Sequence, residues 1–498
     1  MTASASVPPP PAPTGVAQRV GILAGLGLFV VVLLLPAPEG LGEAGWHTAA
    51  VAALMAVWWM TEALPIAATS LVPLAAFPIL QVASIRDAAA PYANPVIFLF
   101  LGGFLLAKGM ERWGLHRRLA LTVVSRVGTR PRRIVLGFML AAAALSMGIS
   151  NTATAVMMLP IALSVADLAR RDDVGTQEED RRFALVLMLA VAYACSVGGM
   201  GTLIGTPTNA LFAGFVEETY GVEVSFAGWL AVGLPLVALG LAIAYVLLVR
   251  VVFPVRLPEI PGGRAFIRER LAALGTVGRG EWTVGVVFGL VALVWITRPL
   301  LSGIVPGLSD AGVAMLGALA LFALPVGDAR ALDWDTAKTL PWGILLLFGG
   351  GLSLAAAISD TGLAAWIGEG LAVFGSLPSV ALVGVVVLVI VFLTELTSNT
   401  ATAAAFLPVL GALALSTGTA PLLLLVPATI AASCAFMLPV ATPANAIVYG
   451  SGYVTVGQMA RAGVWLNVAF ALLVTLLAAL FVPLLTGTAL PELTVTAP

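Results

Sequence analysis

The chain is expected to be an all-α polytopic membrane protein made of two related halves. Three observations carry this reading. Hydrophobic residues make up 60% of the 498 and charged residues only 10%, which leaves lipid as the solvent for so long a chain. Ser150-Asn151-Thr152-Ala153-Thr154-Ala155 recurs as Ser398-Asn399-Thr400-Ala401-Thr402-Ala403, and nine of the twenty positions of 144–163 match 392–411, Pro160 and Pro408 among them. A polar-rich hexapeptide duplicated inside so apolar a sequence marks an internal repeat. Finally, one threading of the chain puts 21 of its 24 Lys and Arg on a single side, as the positive-inside rule asks of the cytoplasmic face.

Taken in order, residues 1–17 are rich in Pro, Ala and Ser and read as a disordered cytoplasmic tail. Residues 18–46 hold the first span, at 20–36, and an outer loop. The first repeat, 47–279, continues with spans near 47–61, 66–82 and 94–111. A basic loop follows, with Arg112, Arg117, Arg118, Arg126, Arg130, Arg132 and Arg133. The apolar stretch 134–169 then runs to a second basic loop with Arg170, Arg171, Arg181 and Arg182. A segment flanked by cytoplasmic charge at both ends cannot cross once. It is expected to be a re-entrant hairpin turning at Ser150-Asn151-Thr152.

The chain next crosses at 183–216 to a loop, 217–225, without Lys or Arg, and returns at 226–250. The third basic loop, 251–279, closes the repeat. The second repeat, 280–486, has spans near 282–300, 311–326 and 340–358, then an amphipathic outer helix near 362–374. A second hairpin at 379–415, entered from outside, turns at Ser398-Asn399-Thr400. Spans near 421–450 and 464–486 precede a C-terminal tail, 487–498. The expected total is about eleven spans and two hairpins, with the N-terminus cytoplasmic and the C-terminus extracytoplasmic. Because the hairpins enter from opposite sides, the repeats are inverted, the layout of a secondary transporter with its site between the repeats.

Two further motifs sharpen the site. Gly205-Thr206-Pro207-Thr208-Asn209 and Ala441-Thr442-Pro443-Ala444-Asn445 fall mid-span after each hairpin. Proline removes an amide donor, so both spans should break near the midplane, where unwound backbone must line a cavity or lie buried in protein. Tips and breaks together offer hydroxyl, amide and carbonyl oxygens for a small alkali cation. They also offer helix N-termini for an anion. No Lys, Arg or His lies in the four motifs, so bound cations are the natural offset for an anionic substrate. Glu395 aligns with Met147 and is read as a structural carboxylate outside the shared site, capping backbone or paired with an unidentified residue. Asn209 and Asn445 are read as braces of the broken helices. The Gly102-Gly103 and Gly349–Gly351 runs signal close helix packing.

Other classes fit poorly. There is no basic patch with interleaved aromatics for nucleic acid. Cys195 and Cys434 sit in apolar segments with no CxxC or Cys/His cluster, which argues against disulfides and structural metal. No HExxH or paired-Asp motif suggests an enzyme. An anion channel would share the hairpins but need no cation coupling.

The paired Ser-Asn-Thr tips and paired Thr-Pro breaks, with the stretch 432–448, resemble the divalent anion–sodium symporter family over about 45–490. The resemblance implies a homodimer of elevator type, with scaffold and transport domains. It implies two sodium sites: Ser146, Ser150, Asn151 and carbonyl oxygen around Gly205, and Thr394, Ser398, Asn399 and carbonyl oxygen around Ala441. It implies substrate contacts from Asn151, Thr152, Thr206, Pro207, Asn399, Thr400, Thr442 and Pro443. Thr208 and Ala444 replace a proline often found there, a small change in backbone stiffness. The intact hydroxyl set favours sodium coupling. The expected activity is inward symport of a small dianion, a C4-dicarboxylate such as succinate, in the inner membrane. The alternatives are a sodium-independent exchanger and a sodium-coupled sulfate or citrate carrier.

Overall fold

The computed structural model describes residues 16–128, 130–171, 176–257, 263–371, 373 and 377–488. Nearly all of the two expected tails, 1–17 and 487–498, and part of the 251–279 loop lie outside the described residues.

The first half opens with α1 (Val16–Leu34) packed along α2 (Glu43–Thr61). The expected third span is not one helix but two, α3 (Ile66–Thr69) and α4 (Val72–Ile79). Pro73 has no amide to bond the Thr69 carbonyl, so the first helix cannot continue. α5 (Ile85–Ala89) leads through a 3-10 turn into α6 (Pro95–Arg112). Asn94 starts α6, its side chain accepting from Val96 N at 3.0 Å. The basic stretch after it is not simply loop: it folds as α7 (Leu115–Val127), burying Ala120, Leu121 and Val124 on one face.

The first hairpin follows as α8 (Pro131–Ser146) and α9 (Asn151–Arg171), with its tip at 147–150. α10 (Gln177–Gly199) and α11 (Pro207–Tyr220) are the two parts of the broken span. α12 (Phe226–Val246) returns and ends in a π-helical turn through Val252, and α13 (Gly263–Ala272) lies in the third basic loop.

The second half begins with α14 (Arg279–Leu301) and α15 (Asp310–Ala323). A short antiparallel hairpin, β1 (Pro325–Val326) and β2 (Ala329–Arg330), was not expected from the sequence. After α16 (Trp334–Ala337) come α17 (Trp342–Asp360) and α18 (Leu363–Leu371), the latter at the expected amphipathic segment. The second hairpin is α19 (Ser379–Leu393) and α20 (Asn399–Ser416). The second broken span is α21 (Pro421–Ala432) and α22 (Pro443–Tyr449), and α23 (Val456–Thr488) closes the chain.

Eight helical stretches among the described residues are long and apolar enough to cross a membrane, and five further apolar helices are shorter. The order helix, tip, helix, helix, break, proline-led helix occurs twice. The halves also exchange elements. α22 packs on α9 and α10 of the first half, while α11 packs on α20 and α21 of the second. Elsewhere small residues bring backbones together: a Cβ on Gly102 of α6 would stand 2.6 Å from the Ala314 Cβ of α15.

Two charged links hold the α6–α7 region. Arg118 Nε donates to Glu281 Oε1 at 2.7 Å, and its Nη2 donates to Glu281 Oε2 at 3.0 Å. Asp333 Oδ1 accepts from Thr336 N at 2.8 Å, and Oδ2 pairs with Arg112. The Thr336 amide and the Arg112 guanidinium pull the Asp333 carboxyl down to about 2.

Candidate functional site

Both hairpin tips and both helix breaks meet around one cavity of about 1160 Å³. Each tip ends one helix at Ser146 or Leu393 and starts the next at Asn151 or Asn399. The Ser150 and Ser398 carbonyls accept the first bonds of the new helices, from Thr154 N at 3.0 Å and Thr402 N at 2.8 Å. Thr206 and Thr442 precede the prolines in extended backbone, at φ −143° and −140°, the conformation a following proline favours. The asparagines three residues on brace the breaks. Asn209 Nδ2 donates to Thr202 O at 2.8 Å, and Asn445 Nδ2 donates to Leu438 O at 3.0 Å and Ala435 O at 3.1 Å. The breaks also touch each other, with the Thr208 and Ser433 hydroxyls 2.7 Å apart.

All eight expected substrate contacts line this cavity: Asn151, Thr152, Thr206, Pro207, Asn399, Thr400, Thr442 and Pro443. Of the expected cation ligands, Ser150, Asn151, Gly205, Ser398, Asn399 and Ala441 line it too. Ser146 and Thr394 are not on its surface. Both are fully buried at the ends of the first hairpin arms. The start of each long helix, α9, α11 and α20, reaches the cavity. Their first-turn amides have no intrahelical acceptor and carry partial positive charge.

The oxygens near the tips are under-satisfied. Ser146 Oγ and Asn151 Oδ1 are buried and make no hydrogen bond of normal geometry; the Cys195 thiol, a weak donor, approaches Ser146. Gly199 leaves room beside them, since a Cβ there would lie 2.7 Å from Asn151 Oδ1 and 3.0 Å from Gly205 O. In the second half Thr394 Oγ1 is 2.8 Å from both Asn399 Oδ1 and Ala432 O. One hydroxyl proton satisfies one of those two acceptors at a time. Each cluster is therefore rich in lone pairs and poor in protons, the donor set of a hard cation.

The rest of the wall comes from α2–α3, α6 and α17. Much of it is apolar: Ile66, Ala67, Phe104, Ala107, Ile344 and Leu347. It also holds three charged groups: Glu62, which the sequence reads as a structural residue near a span end, and Lys108 and Glu111, which sequence reasoning missed as site residues. Lys108 Nζ pairs with Glu111 Oε2 at 2.6 Å. An i,i+3 Lys–Glu spacing on one helix was a usable signal, but their facing the tips depends on packing between distant segments. Glu395 does cap backbone: it accepts from three consecutive amides of the second break.

Comparison with known proteins fits this architecture. A family model described as the sodium:sulfate symporter transmembrane region matches residues 17–488. A sodium-dependent dicarboxylate transporter, SdcS, of Staphylococcus saprophyticus is 42% identical, covering 95% of this chain and 93% of its own. SdcS of Staphylococcus aureus is 41% identical with the same coverage. Among solved structures, the Alcanivorax borkumensis YdaH transporter superposes with a TM-score of 0.56 at 15% identity, over 96% of this chain and all of its own. Neisseria gonorrhoeae MtrF gives 0.57 at 14% identity, over 94% and 95%; both share the fold. With the tips, the breaks and the matched length in agreement, the chain belongs to the sodium:sulfate symporter family of membrane transporters.

Proposed function

We propose that the protein is a sodium-coupled symporter that imports small dicarboxylate dianions, C4 acids such as succinate foremost. One observation carries the reading: all four motif segments converge on one cavity, and at the first tip Asn151 Oδ1, on its wall, and Ser146 Oγ, buried behind it, make no hydrogen bond of normal geometry. The helix starts and tip side chains hold the carboxylates. Sodium, carried as co-substrate, neutralises them where no motif residue carries positive charge. The sodium-dependent dicarboxylate transporters at 41–42% identity support both the cation and the substrate class.

The finer layout belongs to the same reading. The chain crosses about eleven times, with inverted repeats and a cytoplasmic N-terminus. The cavity is lined by Glu62 and Pro65 and by Thr339–Pro341, in loops that the charge pattern puts on the cytoplasmic side, so the structure is read as inward-facing. α8–α12 and α19–α23 form the moving body of an elevator, and the remaining helices form its scaffold. Two scaffolds pair in a homodimer. α14, whose apolar window is 22% buried, offers an exposed face for that contact.

The test is uptake of labelled succinate into proteoliposomes, with and without an inward sodium gradient, with unlabelled sulfate and citrate as competitors. Sodium-dependent uptake blocked by C4-dicarboxylates alone is expected. Uptake that needs internal dicarboxylate but no sodium would make it an exchanger, and sulfate uptake without succinate uptake would change the substrate.

A further inference from the structure

The two halves share tips and breaks but differ in how each tip is fastened to its break. In the second half Glu395, 3% exposed, is held entirely by donors. Its Oε1 accepts from Phe436 N at 2.6 Å, Met437 N at 2.8 Å and Asn467 Nδ2 at 2.8 Å, and its Oε2 accepts from Leu438 N at 3.0 Å. A buried carboxylate persists only when its oxygens are satisfied in this way. The preceding residue, Thr394, meets Ala432 O at 2.8 Å. Two adjacent tip residues thus grip the break at its start, 432, and along its middle, 436–438. Asn445 closes it from the far side through Ala435 O and Leu438 O.

The first half has no such grip. Met147 stands where Glu395 does. It offers only its carbonyl, to the Thr202 hydroxyl. The Met200 and Gly201 amides turn back on Val197 O at 3.2 Å and Gly198 O at 2.9 Å instead. Correspondingly, Ser146 Oγ and Asn151 Oδ1 make no hydrogen bond of normal geometry, whereas the Thr394 hydroxyl lies 2.8 Å from Asn399 Oδ1 and shares its one proton between that oxygen and Ala432 O.

We infer that Glu395 is a positioning residue that assembles the second cation site before its cation arrives, so that the two sites bind sodium unequally, the second more tightly. Two effects act in the same direction. A site already in its binding geometry spends less free energy on ordering. A buried negative charge on the residue next to Thr394 also attracts a cation. The first site is completed only by its cation. The inference rests on the sodium-coupled reading above.

The experiment titrates sodium against the thermal stability of the full-length protein in detergent, without substrate, since a ligand that binds only the folded state raises its melting temperature. Sodium dependence of succinate uptake in proteoliposomes runs beside it. The wild type should show two sodium affinities. Ser146→Ala should remove the weaker phase and leave the tighter. Glu395→Gln should shift the tighter midpoint by about 10- to 100-fold, the usual effect of losing an outer-shell partner of a metal site, with maximal uptake recovered at saturating sodium. Glu395→Asp should shift it less. Asn467→Ala keeps the charge but removes one donor, and should shift the same midpoint in the same direction, so it decides the matter if Glu395→Gln does not fold. Wild-type midpoints in Glu395→Gln and Asn467→Ala would overturn the inference, as would lost uptake with an unmoved midpoint. A wild type indifferent to sodium in both assays would overturn the coupled reading together with it.

Discussion

Gly199→Ala is the sharpest single test of the first tip. Gly199 ends α10 beside Asn151, and the added Cβ would stand 2.7 Å from Asn151 Oδ1, 2.9 Å from Asn151 Nδ2 and 3.0 Å from Gly205 O. Carbon does not sit that close to oxygen or nitrogen, so the Asn151 amide must rotate away or the break must move. Forcing an extra methyl group into a packed site costs about 1–3 kcal/mol. Without sodium, Asn151 Oδ1 has no hydrogen bond to lose, so rotation is cheap and the sodium-free melting temperature should change little. With sodium, the amide must be held where the methyl group now stands. The cost of displacing the amide then falls on binding, raising the sodium concentration for half-maximal uptake by about 5- to 150-fold. Gly289→Ala is the control, since nothing lies within 4 Å of its added Cβ. A Gly199→Ala protein with wild-type sodium dependence would show that this pocket is not where the cation acts.

Three further outcomes are expected. Asn399→Ala removes a cavity-lining amide and one of the two acceptors within reach of the Thr394 hydroxyl, and should bring sodium-dependent uptake to background; near-normal transport would exclude Asn399 from the site. Asp333→Asn should lower the melting temperature at neutral pH. Because the folded-state pKa is depressed to about 2, the carboxylate contributes fully above its ordinary value of about 4 and loses its contribution as pH falls through 2. The gap between wild type and variant should therefore be flat from pH 5 to 8 and close under strong acid, as circular dichroism during heating would show. Arg118→Ala removes both guanidinium bonds to Glu281, whose side chain is 11% exposed and keeps only the Gly278 amide, and should destabilise the protein by about 1–3 kcal/mol. Glu281→Gln combined with Arg118→Ala should restore part of that loss.

What the sequence disclosed was local chemistry. A proline in an apolar run states its own consequence, so both breaks were legible at Pro207 and Pro443. The duplicated Ser-Asn-Thr stated the tips, and charge at both ends of 134–169 stated the hairpin. Features made by encounter were not legible. α7 hid inside the basic stretch because seven arginines between 112 and 133 masked its buried Ala120, Leu121 and Val124. The division into α3 and α4 turned on one missing amide within a run that looks continuous. Glu395 could be recognised as a structural carboxylate, but its donors lie 41 to 72 residues away, and nothing near it in the sequence names them. Lys108 and Glu111 face the tips only because α6 packs where it does.

The exchange of α11 and α22 between the halves bears on how such a chain could be made. Neither half can close its own half of the cavity, because the helix that follows each break finishes the other half's packing. A half synthesised alone would leave that seam bare. The ribosome has emitted the first hairpin, its break and α11 long before α20, α21 and α22 exist to receive them. The first half must wait in the bilayer with a polar tip and an unwound turn still without their lids. Assembly is therefore expected to be late and concerted, and a chain stopped near residue 280 should be cleared by membrane quality control rather than persist as a half-carrier.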